Sequence, residues 1–148
     1  MEETLEQKKR RLFGKQYLSE YLGVIKKITF IENTELLSIV DTDEVIKNSS
    51  DLKKHCSYKF YFNEKLEIKK KIYDTIKYNG KFYLFTSLSQ DCGCVIINSL
   101  NDINFNFNFE DDSSGIISLI SFDLSEKILF DFYIENDKQL IEIEYYKK

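Results

Sequence analysis

The second half of the chain alternates hydrophobic and polar residues, whereas its amino-terminal end repeats hydrophobic positions at helical spacing. From residue 78 to residue 146, runs rich in Phe, Tyr, Ile and Leu are separated by polar turns at intervals of roughly ten residues, a spacing typical of antiparallel strands. Connections this short leave no room for crossover helices, so parallel pairing is not expected. The pattern predicts a β-meander over residues 78–146.

Six strands are predicted in this region, and Asn79-Gly80 before the first of them is a strong signal for a two-residue hairpin turn. In the last two strands Asp131, Glu142 and Glu144 point away from the predicted core. The run at 115–122 is apolar on both faces and is expected to be central. The predicted strands cover residues 81–88, 94–100, 103–109, 115–122, 128–134 and 139–146.

The first half predicts more helix. Residues 3–22 carry Leu, Phe and Tyr at near-helical spacing with charges between them, which predicts one amphipathic helix that stops at Gly23. Residues 64–76 fit either a helix or a strand, because their isoleucines satisfy both spacings. The remaining predictions are strands at residues 24–31, 35–40 and 58–62 and a short helix at 44–47.

These elements predict an α+β fold, in which the amino-terminal amphipathic helix packs on a predominantly antiparallel, meander-like, twisted sheet. The length of 148 residues suits one domain with a real core. The 12 Phe and 10 Tyr argue against disorder. The abundance of Lys, Asn and Ile and the absence of Pro are typical of an AT-rich coding genome, so composition is discounted as a functional clue.

Charge is divided unevenly along the chain. Residues 1–72 carry 15 basic and 12 acidic side chains, whereas residues 73–148 carry 6 and 13, so the net charges are +3 and −7. An acidic sheet argues against gripping a phosphate backbone, where Lys and Arg must replace counterions. The basic run Lys8–Arg11 suits the solvated face of a helix. Nucleic acid is therefore not expected as a partner. A membrane is not expected either, because no apolar run approaches the ~20 residues that span a bilayer.

The cysteines and the amino terminus indicate a cytoplasmic protein. The sequence has three cysteines, Cys56, Cys92 and Cys94, whereas a disulfide framework usually has an even number. Residues 1–6 lack the pattern of a signal peptide. One residue separates Cys92 from Cys94, whereas zinc sites usually place two to four between paired ligands. We therefore expect reduced thiols and no metal or other cofactor.

Enzyme motifs are weak throughout the sequence. His55 is the only histidine, so any Ser-His or Cys-His pair would have to use it. The five glycines are isolated and form neither a P-loop nor a dinucleotide fingerprint. The sequence predicts a protein that is not an enzyme.

Two neighbouring features are candidates for a partner-binding surface. The first is the acidic turn Glu110-Asp111-Asp112, which runs on through Ser113 and Ser114 to Gly115 and lacks the ligand spacing of a calcium loop. The second is the run 103–109, where Phe and Asn alternate; we expect the Phe side chains in the core and a row of amides outside. The predicted partner-binding residues are Asp102, Asn104, Asn106, Asn108, Glu110, Asp111 and Asp112.

The acidic segment Phe107–Phe122 and the ending Ile141-Glu142-Ile143-Glu144 resemble in style the small immunity proteins of bacterial toxin and contact-dependent inhibition systems. The resemblance covers the second half of the chain and transfers no functional residue. It implies a non-enzymatic protein that binds a cognate basic toxin domain, such as a nuclease, and occludes its active site or substrate groove. Acidic residues would then speed encounter and fix register.

Two other functions stay open at this point. A curved sheet could enclose an aromatic-lined pocket and act as a small-molecule-binding or enzymatic domain, which a deep cavity with converging polar groups would favour. The helix at residues 3–22 could instead be the contact of a structural or regulatory subunit.

Overall fold

The computed structural model describes residues 2–112 and 114–148, and within them the chain forms five α-helices, two short 3₁₀ turns and seven strands. The helices are α1 (Leu5–Gly14), α2 (Leu18–Ile28), α3 (Ile39–Asn48), α4 (Lys65–Thr75) and α5 (Ser89–Cys92). The 3₁₀ turns lie at Leu100–Asp102 and Phe109–Asp111. The strands are β1 (Glu35–Leu36), β2 (Lys53–Tyr61), β3 (Phe82–Phe85), β4 (Val95–Ile97), β5 (Ile116–Ser121), β6 (Glu126–Glu135) and β7 (Lys138–Lys147).

All seven strands join one antiparallel sheet in the order β1-β4-β3-β5-β6-β7-β2. The α+β class and the antiparallel sheet are therefore confirmed. The true meander is shorter than predicted: β5, β6 and β7 follow one another in space as they do in sequence, whereas β4 pairs with β3 on the side away from β5. The early strand β2 closes one edge beside β7, and β1 closes the other.

The helical layer covers one face of the sheet and forms the core with it. Tyr21, Ile25 and Ile28 of α2 are fully or almost fully buried, as are Ile68 and Ile72 of α4. They pack with the inward side chains of the central strands, whose largest fully buried members are Phe82, Leu84, Ile97, Leu119, Ile128 and Ile143. On the other face, α3 and the turn after it cover β3 and β5, where Ile46 and Leu52 lie beside Phe85 and Ile120.

The predicted single helix over 3–22 was wrong, because the chain breaks between α1 and α2. Thr4 caps α1 through its hydroxyl, and Gln7 returns the bond to the Thr4 amide. The helix ends at Gly14, where a Cβ would lie 2.0 Å from the carbonyl oxygen of Asp91. Close approach to α5 thus ends the helix, and α2 then runs through Gly23 to Ile28, so the predicted strand over 24–31 was also wrong.

Three further predictions over the first eighty residues are corrected or resolved. Only two residues of the predicted strand over 35–40 pair, because Ser38 accepts a hydrogen bond from the Asp41 amide and starts α3, which contains the expected helix at 44–47. The ambiguous segment 64–76 is the helix α4. Residues 76–79, directly before Gly80, form no strand, because the buried carboxylate of Glu126 accepts the amide hydrogens of Lys77 and Tyr78 that a ladder would need.

The later strands agree better with their predictions. The runs at 115–122, 128–134 and 139–146 correspond to β5, β6 and β7, and 58–62 overlaps β2, whereas 81–88 and 94–100 are shortened to β3 and β4 by α5 between them. The tight hairpin turn lies at Asn136-Asp137, where both residues have positive φ (53° and 61°). This is the two-residue geometry that matches strand twist, and it fixes the register of β6 on β7.

Residues 103–109 do not form the predicted strand, but their Phe side chains point inward as predicted. Ile103 makes one isolated bridge with Thr29, and the rest of the segment is irregular. Phe105 and Phe107 are nevertheless buried, and Phe107 packs edge-on against Phe62 at 5.4 Å between ring centroids. The segment is a loop that covers the core on the helical side of the sheet.

Candidate functional site

The predicted partner-binding residues lie in this loop, and most of their polar groups hold the loop together. Asp102 accepts a hydrogen bond from the Asn98 amide at 2.8 Å. The Asn104 side chain donates to the Lys27 carbonyl at 3.0 Å and accepts from the Asn106 amide at 3.0 Å. These contacts use the polar groups locally, so the expected open row of amides on a strand is absent from the described loop.

The acidic turn also uses most of its polar groups in contacts within the protein. Asp111 accepts from the Asn108 amide at 2.7 Å and lies 3.9 Å from the Lys27 ammonium. Asp112 is buried, and one of its oxygens accepts from both the amide and the hydroxyl of Ser114. Ser113 lies outside the described residues. Of the seven predicted residues, those with exposed side chains are Asn106, Asn108 and Glu110.

A larger surface of mixed charge lies on the opposite side of the sheet, over β6, β7 and β2. The residues that point there alternate with the core residues, and we call this surface the open face. α3 and the turn after it cover the neighbouring strands β3 and β5 and reach Lys127 and Tyr146 at one end of this surface. The open face consists of Lys127, Leu129, Asp131, Tyr133, Leu140, Glu142, Glu144, Tyr146, Lys54, Ser57, Lys59 and Tyr61.

The centre of the open face brings two carboxylates together. Asp131 of β6 lies directly opposite Glu142 of β7 in the strand register. No basic side chain of the described residues comes within 4.0 Å of either carboxylate. Like charges directly opposite one another destabilise an antiparallel pair, so these two positions are expected to oppose folding.

The same hairpin uses charge differently elsewhere. Glu126 is opposite Lys147 at one end, and Glu135 is opposite Lys138 at the other. The β6–β7 hairpin therefore has opposite charges facing each other near its two ends and like charges facing each other near its middle.

The third carboxylate of the open face, Glu144, is paired. The Lys54 ammonium lies 2.9 Å from it, which raises the pKa of Lys54, and the Tyr146 hydroxyl donates to it at 3.2 Å. Lys59 is opposite Glu142 in the register, but its ammonium lies 3.7 Å from Glu135 and 5.7 Å from the Tyr133 ring centre. Lysines therefore lie along the edge of the open face, where the charges of Lys54 and Lys59 also interact favourably with Glu142.

Tyrosines and leucines surround the central carboxylates. Tyr133 and Leu140 lie opposite one another on β6 and β7, and Tyr61 continues the row on β2. Tyrosine is enriched at protein interfaces, where its ring gives contact area and its hydroxyl a hydrogen bond. A broad surface of this kind suits a protein partner with basic side chains.

The alternative of an enclosed ligand pocket receives little support. A cavity in the core beneath the 103–109 loop has a volume of about 20 Å³, enough for a single water rather than an organic ligand. Its lining is apolar except for Lys65, which donates to the Phe107 carbonyl at 2.8 Å and lies 3.5 Å from the Phe62 ring centre. Burial lowers the pKa of Lys65 to about 8.

The cysteines do not form one site. Cys94 is fully buried, which raises the pKa of its thiol to about 11, and Cys92 donates a hydrogen bond to the Gly14 carbonyl. Cys56 lies on β2 beside Tyr58. Across residues 2–112 and 114–148, no three or more His, Cys, Asp or Glu side chains are placed to hold a metal ion.

Comparisons with protein-family models, with curated proteins and with solved structures found nothing that matches this chain. None of the described helices is long and apolar enough to cross a lipid bilayer. The open face is the candidate site because of its geometry, and the sequence held a signal for it. Counting outward from the two-residue turn at Asn136-Asp137 places Asp131 opposite Glu142, whereas the sequence interpretation gave more weight to the Asn row.

Proposed function

We propose that the chain is a non-enzymatic inhibitor that binds a basic bacterial toxin domain through the open face and blocks its active site or substrate groove. The observation that carries the proposal is the unpaired juxtaposition of Asp131 and Glu142 at the centre of an uncovered sheet surface. A cationic side chain of the partner placed between these carboxylates would attract both of them and offset their mutual repulsion. The complex would thereby be relieved of the unfavourable electrostatic energy of the free protein.

Charge complementarity selects the class of partner. A nuclease must hold a phosphate backbone in a basic groove, and a face that presents carboxylates among tyrosines offers that groove a substitute anion. Such complementarity mainly raises the association rate and fixes the register of the complex. The toxin itself is inferred from the resemblance to immunity proteins, which act in the cytoplasm of the cell that makes them.

The exposed residues of the 103–112 loop form a second, separate surface. The loop packs on the helical side of the sheet, whereas Asp131 and Glu142 point to the other side. One flat interface centred on the open face therefore excludes Asn106 and Glu110. Charge reversal at each surface separates the two possibilities.

The experiment first identifies the genes that flank the gene of this chain and then co-expresses the chain with the carboxy-terminal domain of a large toxin encoded there. We expect the wild-type chain to restore growth, and Asp131→Lys together with Glu142→Lys to slow association about tenfold at low salt, since electrostatic steering supplies factors of about 10–10³. Glu67→Lys, an exposed change on α4, is the matched control. Failure of the wild-type chain to protect would overturn the toxin assignment.

A second arm tests the loop surface with Asn106→Lys and Glu110→Lys. These two side chains are exposed, so their replacement should leave the fold intact. Asp111 and Asp112 are left unchanged because they bond within the loop. Slower binding by the loop variant with unchanged binding by the Asp131 and Glu142 variant would move the interface to the loop.

A further inference from the structure

A basic groove lies at the end of the sheet away from the hairpin turn, between β2, the last residues of β7 and the carboxy-terminal end of α4. It is open to solvent and has a volume of about 400 Å³. We call it the β2–α4 groove. Its principal side chains are His55, Tyr58, Lys71, Lys77, Tyr145 and Lys147.

Cations converge on this groove although the whole chain is acidic. No carboxylate of the described residues lies within 4.0 Å of Lys71, Lys77 or Lys147. Lys53 is directly opposite Lys147 in the strand register, which is a second like-charge pair across strands. Like charges directly opposite one another are unfavourable; Lys147 has Glu126 opposite it on its other side, on β6, whereas an anion between Lys53 and Lys147 would offset the repulsion on the β2 side.

Two carboxylates must be counted against the cations. Asp74 lies on the wall of the groove, and its backbone carbonyl accepts a hydrogen bond from the Lys77 ammonium at 3.2 Å. Glu126 is buried behind the groove, where it accepts from the backbone amides of Lys77 and Tyr78 and from the Tyr145 hydroxyl. Its oxygens are thus used inside the protein, which leaves three lysines and Asp74 as the charged side chains that line the groove.

The walls of the groove are held in place before any ligand arrives. A β-bulge between Lys54 and Cys56 turns His55 out of the ladder, and its ring meets Tyr145 edge-on at 6.2 Å. Tyr145 is fixed in turn by Glu126. The Lys71 ammonium lies 4.4 Å from the Tyr58 ring centre, which orients the lysine side chain by a cation–π contact.

We propose that the β2–α4 groove binds the phosphate group of a small organic phosphate. A phosphate monoester carries close to two negative charges at neutral pH and offers three acceptor oxygens, which suits three ammonium groups around one concavity. The tyrosine rings give the organic part an apolar wall. This site is independent of the open face, because its residues lie at the sheet end and on the helical layer.

Titration with inorganic phosphate, followed by amide chemical shifts, tests the site. We expect saturable shifts centred on His55, Tyr58 and Lys147 that sodium chloride at equal ionic strength does not reproduce. Lys147→Gln should weaken binding about tenfold, because hydrogen bonds to charged groups contribute about 1.5–3 kcal/mol. Lys69→Gln, an exposed change elsewhere on α4, is the matched control. Equal shifts with chloride, or an equal loss in the control, would overturn the proposal.

Three further ligands identify the organic part. A nucleoside monophosphate or a sugar phosphate that binds more tightly than inorganic phosphate supports the proposal and names the ligand class. Weaker binding by both of them would refute an organic phosphate site. A single-stranded RNA oligonucleotide that binds more than tenfold tighter than either, with shifts spread beyond the groove, would assign the lysines to nucleic acid instead.

Discussion

Replacing Asp131 with lysine should make the protein more stable and a worse inhibitor. The change removes a like-charge pair with Glu142 and places an ammonium opposite that carboxylate. Each of the two effects contributes about 0.2–1 kcal/mol in a sheet, and partial exposure reduces them. We therefore expect a gain of about 0.5–1 kcal/mol, which for a chain of this size raises the melting temperature by about 1–4 °C.

The assay is thermal and urea unfolding of wild type, Asp131→Lys and Asp131→Asn at low salt and in 1 M sodium chloride. Asparagine removes only the repulsion, so its gain should be about half that of lysine. Salt at 1 M shortens the screening length to about 3 Å, so both gains should shrink. Glu142→Lys should gain less than Asp131→Lys, because Lys59 lies opposite position 142 on the other side.

The refuting results are specific. If Asp131→Lys lowers the melting temperature, or raises it equally at both salt concentrations, the repulsion between Asp131 and Glu142 does not exist in the folded protein. The argument for the open face would then lose its main observation. A gain in stability with undiminished toxin binding would keep the repulsion but remove its function.

Four other changes test single positions. Folding lowers the pKa of Lys65 to about 8, whereas in the unfolded chain this lysine keeps its proton up to about pH 10.4, so the wild-type protein should become more stable between about pH 8 and pH 10. Lys65→Met should remove this rise in the free energy of unfolding. Urea unfolding of both proteins as a function of pH measures it, with the exposed Lys69→Met as control. Gly14→Ala should destabilise the protein by about 1–3 kcal/mol, because the added Cβ clashes with backbone. Gly23→Ala should instead stabilise α2 by up to about 1 kcal/mol, because a Cβ there meets nothing within 4 Å. Melting temperatures equal to that of the wild type would contradict both predictions. Glu126→Gln should cost about 1–3 kcal/mol in urea unfolding, because an amide nitrogen cannot accept from the donors that surround that carboxylate.

Sequence periodicity predicted burial more reliably than backbone structure. The Phe and Asn alternation over 103–109 places Phe105 and Phe107 inside, as expected, yet the segment is not a strand. Alternation requires only that successive side chains point in and out, which an irregular segment anchored by Asn104 on α2 achieves as well. A ladder also needs a neighbouring strand with free amides and carbonyls, and that neighbour is not visible in a local pattern.

Contacts between distant parts of the chain account for the other errors. The break after α1 depends on Gly14 meeting the Asp91 carbonyl, 77 positions later. The failed hairpin at Asn79-Gly80 depends on Glu126, whose carboxylate captures the preceding amides. By contrast, the hairpin at Asn136-Asp137 is local, since its turn and its alternating strands agree, and it was the most accurately predicted part of the sheet.

The candidate site follows from the same distinction. Asp131 and Glu142 are brought together by that local hairpin, so their juxtaposition could be derived from the sequence. The β2–α4 groove could not, because it needs β2 to cross the molecule and pair with β7, which places Lys53 opposite Lys147. β7 thus carries a like-charge negative pair at its middle and a like-charge positive pair at its end. No single ligand relieves both, so a polyanion that blocks the groove should leave toxin binding at the open face intact.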